Sequence, residues 1–230
     1  MQTFSELSHA FVVASFYRRL KHSFGSRGIA AFAHMTALYG RQRGSRMAQR
    51  AIRDGKPLDF ASYRTYGEWQ KTDAAECVMG GFEGRLVSIA PDHEEYIDRC
   101  PWAWKFADMG LSECGVLYCT YLDRSIAAGF NPDLVFEVPQ SINDHDYCIQ
   151  IMRDAHFTEG QTFEKDPKNV KEFDYHTGHV YATFSKISES IFGAEGKRLS
   201  SDVLSDFEKE YNSDMAQTLQ TYTTTDFERI

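Results

Sequence analysis

Residues 112–138 read SECGVLYCTYLDRSIAAGFNPDLVFEV. In the first half, Val116, Leu117, Tyr118, Leu122, Ile126 and Ala127 put apolar groups on nearly every side of a helix over about 113–128, the mark of a buried helix. Ser112 is the expected N-cap and Gly129 the expected end. Asn131-Pro132 then turns the chain into a strand at 134–138. A second strand follows at 147–152. Arg85–Ala90 and Glu95–Arg99 read as another pair around the turn Ala90-Pro91-Asp92-His93, and Cys77–Phe82 is also strand-like. The sum is a small antiparallel sheet of about four strands flanked by helices, an α+β fold.

Upstream, residues 4–24 are spaced as an amphipathic helix, broken at Gly25-Ser26-Arg27-Gly28. A second helix covers about 26–53 and is strained near Gly40 and Gly44, since glycine inside a helix costs about 1 kcal/mol relative to alanine. Two such residues predict that something packs very close to that backbone. Residues 58–72 read as a short helix or an irregular connection. Pro101 starts a helix that runs to about Met109, and Lys168 onward is helical to about Phe192. Gly193 and Gly196 break it, a last helix spans about 200–220, and Tyr222–Ile230 forms a loose polar tail. The organisation is one domain, with a basic helical layer over residues 1–56 on an α+β body over 57–230.

The chain has 230 residues, 42% hydrophobic and 14% aromatic, enough for a sizeable core, so wholesale disorder is excluded. Its net charge of −8 hides an asymmetry. Residues 1–56 carry ten Lys/Arg and two acids, or +8, while the remaining 15 basic and 31 acidic residues give −16. A basic layer docked on an acidic body explains this; so do arginines that hold an anionic substrate, because guanidinium pairs with carboxylate bidentately. The basic residues form no recognised nucleic-acid module. No apolar run approaches membrane-spanning length, and no export signal is visible at the start. Cys77, Cys100, Cys114, Cys119 and Cys148 are odd in number and lack metal-finger spacing, which predicts reduced thiols and a cytoplasmic protein.

Four constellations carry chemistry. Cys119 and Asp123 are four residues apart on one face of the buried helix, with Glu113 nearby and Gly115 leaving space beside the sulfur. A carboxylate there must be paired or at work; the plain alternative is an ion pair and a small core cysteine. His176 and His179 share one side of a helix and are candidates for a base and its orienter, or for metal ligands. Asp144-His145-Asp146-Tyr147-Cys148 offers acid, imidazole and thiol in a loop that needs no function to explain it. Tyr39-Gly-Arg-Gln-Arg43-Gly-Ser-Arg46-Met-Ala-Gln-Arg50 is either a tight helix-packing site or an anion clamp.

Taken together these segments resemble the L-2-amino-thiazoline-4-carboxylic acid hydrolase family. The matching pieces are Tyr39-Gly…Arg43-Gly-Ser-Arg46-Met-Ala, Arg99-Cys100-Pro101, Gly110-Leu-Ser-Glu113…Cys119-Thr-Tyr-Leu-Asp123, Gly129-Phe-Asn131-Pro132, Asp144–Cys148 and Phe173-Asp-Tyr175-His176-Thr-Gly-His179. One departure is Asn143-Asp144-His145-Asp146, where relatives tend to carry a Gly-Asp pair. The segment Glu113–Met152 also resembles ligand-sensing vinyl-reductase-type domains, which leaves a non-catalytic small-molecule sensor as the alternative.

The resemblance implies hydrolysis of a C–N bond in a cyclic isothiourea or amidine bearing a carboxylate, to an N-carbamoyl amino acid. Asp123 and Glu113 would hold the protonated nitrogens, and Cys119 would attack, with Cys148 and Cys100 as rival thiols. His179 or His176 would move protons. Arg43, Arg46, Asn131, Asp146 and Tyr175 are the candidate substrate-binding residues. No cofactor is expected; zinc held by His176, His179 and a carboxylate is the competing mechanism. The partner is a small molecule, with no nucleic acid and no membrane, and a homo-oligomer is open.

Overall fold

The computed structural model describes residues 3–230. Two long antiparallel helices open the chain, α1 (Glu6–Phe24) and α2 (Ser26–Arg53), joined only by Gly25 at φ 56°. Two short helices follow, α3 (Phe60–Thr65) and α4 (Asp73–Met79). Strands β1 (Glu83–Ser88) and β2 (His93–Arg99) form a hairpin, and α5 (Pro101–Asp108) and α6 (Ser112–Phe130) succeed it. Strands β3 (Phe136–Gln140) and β4 (Cys148–Met152) complete an antiparallel sheet of order β1-β2-β4-β3. Three helices end the chain: α7 (Phe173–Phe192), α8 (Ala194–Glu210) and α9 (Ser213–Thr221). The architecture is the expected α+β, with a four-stranded antiparallel sheet and an N-terminal helical layer.

Helix α2 runs without interruption through Gly40 and Gly44. Both glycines exist for the crossing with α6: a Cβ on Gly44 would lie 2.0 Å from the Ile126 carbonyl oxygen, and one on Gly129 would lie 2.4 Å from that of Arg41. Backbone meets backbone here, so Gly129 lies inside α6, and the helix ends one residue later than Gly129 would have ended it, at Phe130 with Asn131 as its C-cap. This contact fixes α2 and α6, the two helices that carry Arg43 and Asp123, at one distance.

The principal core unites α1, α2, α5, α6, α7, α8 and α9 through residues such as Phe16, Phe32, Tyr39, Tyr118, Phe184 and Phe207. Ion pairs tie the basic layer to the later acidic chain: Arg19 to Asp202 and Asp206, and Lys21 to Glu113.

Several local expectations change. Cys77–Met79 is the end of a helix, because Thr72-Asp73-Ala-Ala-Glu76 supplies an acidic helical first turn and Gly80 a left-handed stop. Leu111 rather than Ser112 precedes α6, and Gly196 sits within α8, packed on the Ser188 carbonyl. The helix expected from Lys168 begins only at Phe173. The C-terminal tail is not loose: it makes a short 3-10 turn (Tyr222–Thr224) and buries Phe227.

Candidate active site

One turn separates Arg43 from Arg46 on α2, and their surroundings differ completely. Arg46 is wholly buried, and each of its three nitrogens has a partner. Its Nε and Nη2 donate to the Glu68 carboxylate at 3.0 and 2.7 Å, and its Nη1 donates to the Phe227 carbonyl at 2.6 Å. Arg50 donates to the same carboxylate at 2.6 Å. Burial pushes the Glu68 carboxyl up, but the Arg46 guanidinium, helped by Arg43 and Arg50, overcomes it and holds the group down at about 2.

Both expected histidines belong to this cluster. His176 Nε2 lies 3.2 Å from the Glu68 carbonyl oxygen, so it carries the hydrogen, and Nδ1 is left as a buried acceptor without a partner. His179 Nε2 lies 2.8 Å from Gln42 Oε1, its Nδ1 faces Arg46 Nη2 at 3.4 Å, and its ring stacks on Phe227 at 4.1 Å. Burial and the nearby arginines depress both imidazoles, His176 to about 3. Neither hydrogen-bonds a cysteine, so the pairing of His176 or His179 with a thiol is corrected. Nor do they fit a zinc site: a guanidinium occupies the side of His179 that a cation would need, and among the described residues no three His, Cys, Asp or Glu side chains are disposed to hold a metal ion.

Arg43 is 7% exposed, yet among the described residues no carboxylate lies within ion-pair reach and its Nε has no hydrogen-bond partner. Burial works to lower its guanidinium, and Tyr39, Glu68, Tyr118 and Tyr63 outweigh that and hold it above its ordinary range. Its field reaches Asp123, one turn beyond Cys119 on α6. Asp123 is half-buried, and among the described residues its only polar bond is a long one from Gln150 Nε2 at 3.4 Å. Burial, only partly offset by Arg43, pushes its carboxyl up to about 6.

Cys119, Cys100 and Cys148 are mutual electrostatic neighbours, and Asp123 acts on all three. The loop 141–146 ties two of them down. Ile142 N–H donates to Cys148 Sγ at 3.0 Å, and Asn143 Nδ2 donates to Cys119 Sγ at 3.6 Å. Gly115 therefore leaves no open space beside the sulfur, because the Asn143 side chain fills it, 2.0 Å from where a Cβ would stand. Cys100 receives backbone N–H groups at the start of α5, yet burial prevails and drives its thiol up to about 12; Cys119 and Cys148 are raised as well. All three are neutral thiols in the free protein. Two hollows of about 190 and 210 Å³ open elsewhere, the second beside Gln42, Thr183 and Phe227.

Other expected site residues stand apart. Glu113 is exposed at the far end of α6, paired with Lys21 at 2.5 Å. Asp146 is exposed in its loop. Asn131 braces a turn, donating to the Leu58 carbonyl at 2.8 Å and accepting from Asp133 N. Tyr175 packs on Phe227 and under Arg46. The sequence reading missed Glu68, Gln42, Tyr118, His9, Trp102 and Phe227. The available signal was a charged or polar side chain amid aromatic neighbours, as at Glu68 between Tyr66 and Trp69.

The model of the L-2-amino-thiazoline-4-carboxylic acid hydrolase family matches residues 5–149, more than half of the chain, and the protein belongs to that family. No curated protein and no solved structure matches it. No helix among the described residues is long and apolar enough to cross a membrane.

Proposed function

We propose that the protein is a hydrolase that opens a small cyclic isothiourea or amidine bearing a carboxylate, with Arg43, Asp123 and Cys119 as its working groups. The observation that carries this reading is the unmatched guanidinium: among the described residues Arg43 is buried without a counter-ion, one helix crossing away from a carboxylate that is half-buried and barely hydrogen-bonded. A zwitterionic ligand completes both, its carboxylate on Arg43 and its amidinium on Asp123.

The atom balance names the bond. An N-carbamoyl product keeps both nitrogens on the central carbon, so an aminothiazoline ring opens at carbon–sulfur, not at carbon–nitrogen. Asp123 takes the Cys119 proton, and Sγ adds to the amidine carbon. The ring sulfur leaves and takes up that proton, giving an S-carbamimidoyl enzyme. Water then adds to the same carbon, and Cys119 leaves as the thiol. A thiol raised by burial and by the Asp123 charge is a poor nucleophile alone; the incoming amidinium brings the positive charge that lowers it.

The test is turnover of L-2-amino-thiazoline-4-carboxylate by the wild type and by Cys119→Ala, with mass spectrometry for the acyl-type adduct. Loss of turnover by about 10³-fold or more is expected for the variant. Full turnover by Cys119→Ala rejects the thiol and leaves water activated by Asp123. A ligand that stabilises the protein thermally yet yields no product with the wild type makes it a binding protein instead.

A further inference from the structure

Two donors near Arg43 lack any hydrogen bond, although their side chains are more than nine-tenths buried, Arg43 Nε and Tyr118 Oη; His176 Nδ1, equally buried, is an acceptor that lacks one. Orphaned buried donors are costly, about 1–3 kcal/mol each, and ask for an explanation. Tyr118 is an electrostatic neighbour of Tyr39, Arg43, Cys119 and Asp123, so these donors border the site already described.

A third donor is less obvious. Trp102 Nε1–H donates to His9 Nδ1 at 3.0 Å. Indole is a donor only, so Nδ1 must be the lone-pair nitrogen, and the buried neutral imidazole carries its hydrogen on Nε2. That Nε2 lies 3.0 Å from the Tyr39 hydroxyl and donates to it. The Tyr39 oxygen also accepts from Arg43. With both lone pairs engaged, Tyr39 turns its own O–H hydrogen outward, and no hydrogen bond from it is found among the described residues. Arg43 Nε, Tyr118 Oη and the Tyr39 O–H are donors without a partner, and a carboxylate can accept from them.

We infer that Tyr39 and Tyr118 complete, with Arg43, a donor-only subsite for the carboxylate of the ligand, and that Trp102 and His9 are positioning residues that aim the Tyr39 hydroxyl at it. This rests on Arg43 being the anion anchor of the proposed site, and it makes a free carboxylate, rather than an ester or amide, the feature that the protein selects.

Calorimetric titration of the full chain with L-thiazolidine-4-carboxylate and with its carboxamide tests the subsite without requiring turnover. The wild type should bind the acid at least about tenfold tighter than the carboxamide, since a charge-assisted hydrogen bond contributes roughly 1.5–3 kcal/mol. Tyr39→Phe and Tyr118→Phe should each weaken the acid about tenfold and leave the carboxamide unchanged. Trp102→Phe should weaken the acid about threefold. His9→Gln, which can accept from Trp102 and donate to Tyr39, should stay within about threefold of the wild type, while His9→Ala should lose about tenfold. No binding of the acid to the wild type overturns the subsite; so do unchanged acid affinity in the tyrosine variants and equal losses for acid and carboxamide. Acid binding as described, without turnover of any cyclic amidine, overturns the hydrolase reading and keeps the subsite. Turnover with unselective losses does the reverse.

Discussion

Glu68 and Asp123 are both carboxylates set against the arginines of one helix, and they are driven in opposite directions. Glu68 accepts a bidentate fork from Arg46 and a third bond from Arg50, and its carboxyl is held at about 2. Asp123 has one long bond from Gln150 and the field of Arg43, and its carboxyl is raised to about 6. A buried charge whose hydrogen bonds are all met inside the protein stabilises the fold and is chemically silent. One that is only half met costs stability and is left able to respond to a new charge. The same helix, with arginines at positions 43, 46 and 50, supplies both conditions.

The comparison breaks most visibly at Glu68. Glu68→Gln leaves two buried guanidinium groups unpaired and should lower stability by about 3–5 kcal/mol, read by urea unfolding at neutral pH. Because the folded value lies below the ordinary 4.5, the contribution of Glu68 is complete above that pH and fades as pH falls toward 2. An effect of Glu68→Gln with the size and sign of Asp123→Asn would mean that the two carboxylates are equivalent after all.

Phe227→Ala should come next. It strips the stacked ring from His179 and loosens the segment whose carbonyl accepts from Arg46, at a cost of about 2–4 kcal/mol. A thermal melt unchanged by this substitution would mean that the tail does not belong to the Glu68 cluster.

Asp123→Asn should run the other way. A carboxyl raised from 3.8 to about 6 favours the folded state while protonated, so stability falls as pH rises through that window and stays low above it. The variant should gain on the order of 1–3 kcal/mol at pH 8, match the wild type below pH 4, and lose turnover. A loss of stability at pH 8 would show Asp123 to be a paired structural acid. Arg43→Gln should change stability least, within about 1 kcal/mol, because no ion pair is broken, while raising KM for a carboxylate-bearing substrate about tenfold or more.

The long helices and the four true strands were legible because their apolar periods are local; the short α4, read as strand-like at its end, was not. The glycine notches in α2 were legible for the same reason, and α6 fills them. The site was legible only in part. Cys119 and Asp123 follow from a four-residue spacing, and Cys148 joins them across the sheet. His176 and His179 share a helix face as read, but that face looks into the Arg46–Glu68 cluster, which is assembled from three distant segments. Phe227 was invisible, since what it contributes to Arg46 is a backbone carbonyl, and no residue letter encodes that. The Tyr39 hydroxyl depends on a tautomer set by Trp102, 63 positions away, which only the fold reveals.

The most direct test is a carbon-detected NMR titration of the Asp123 carboxyl in the full-length protein, alone and with a cyclic amidine acid bound. The account predicts a midpoint near 6 in the free protein, and a fall of at least one unit when the amidinium binds. A midpoint of 4 or below in the free protein, unmoved by the ligand, would contradict it.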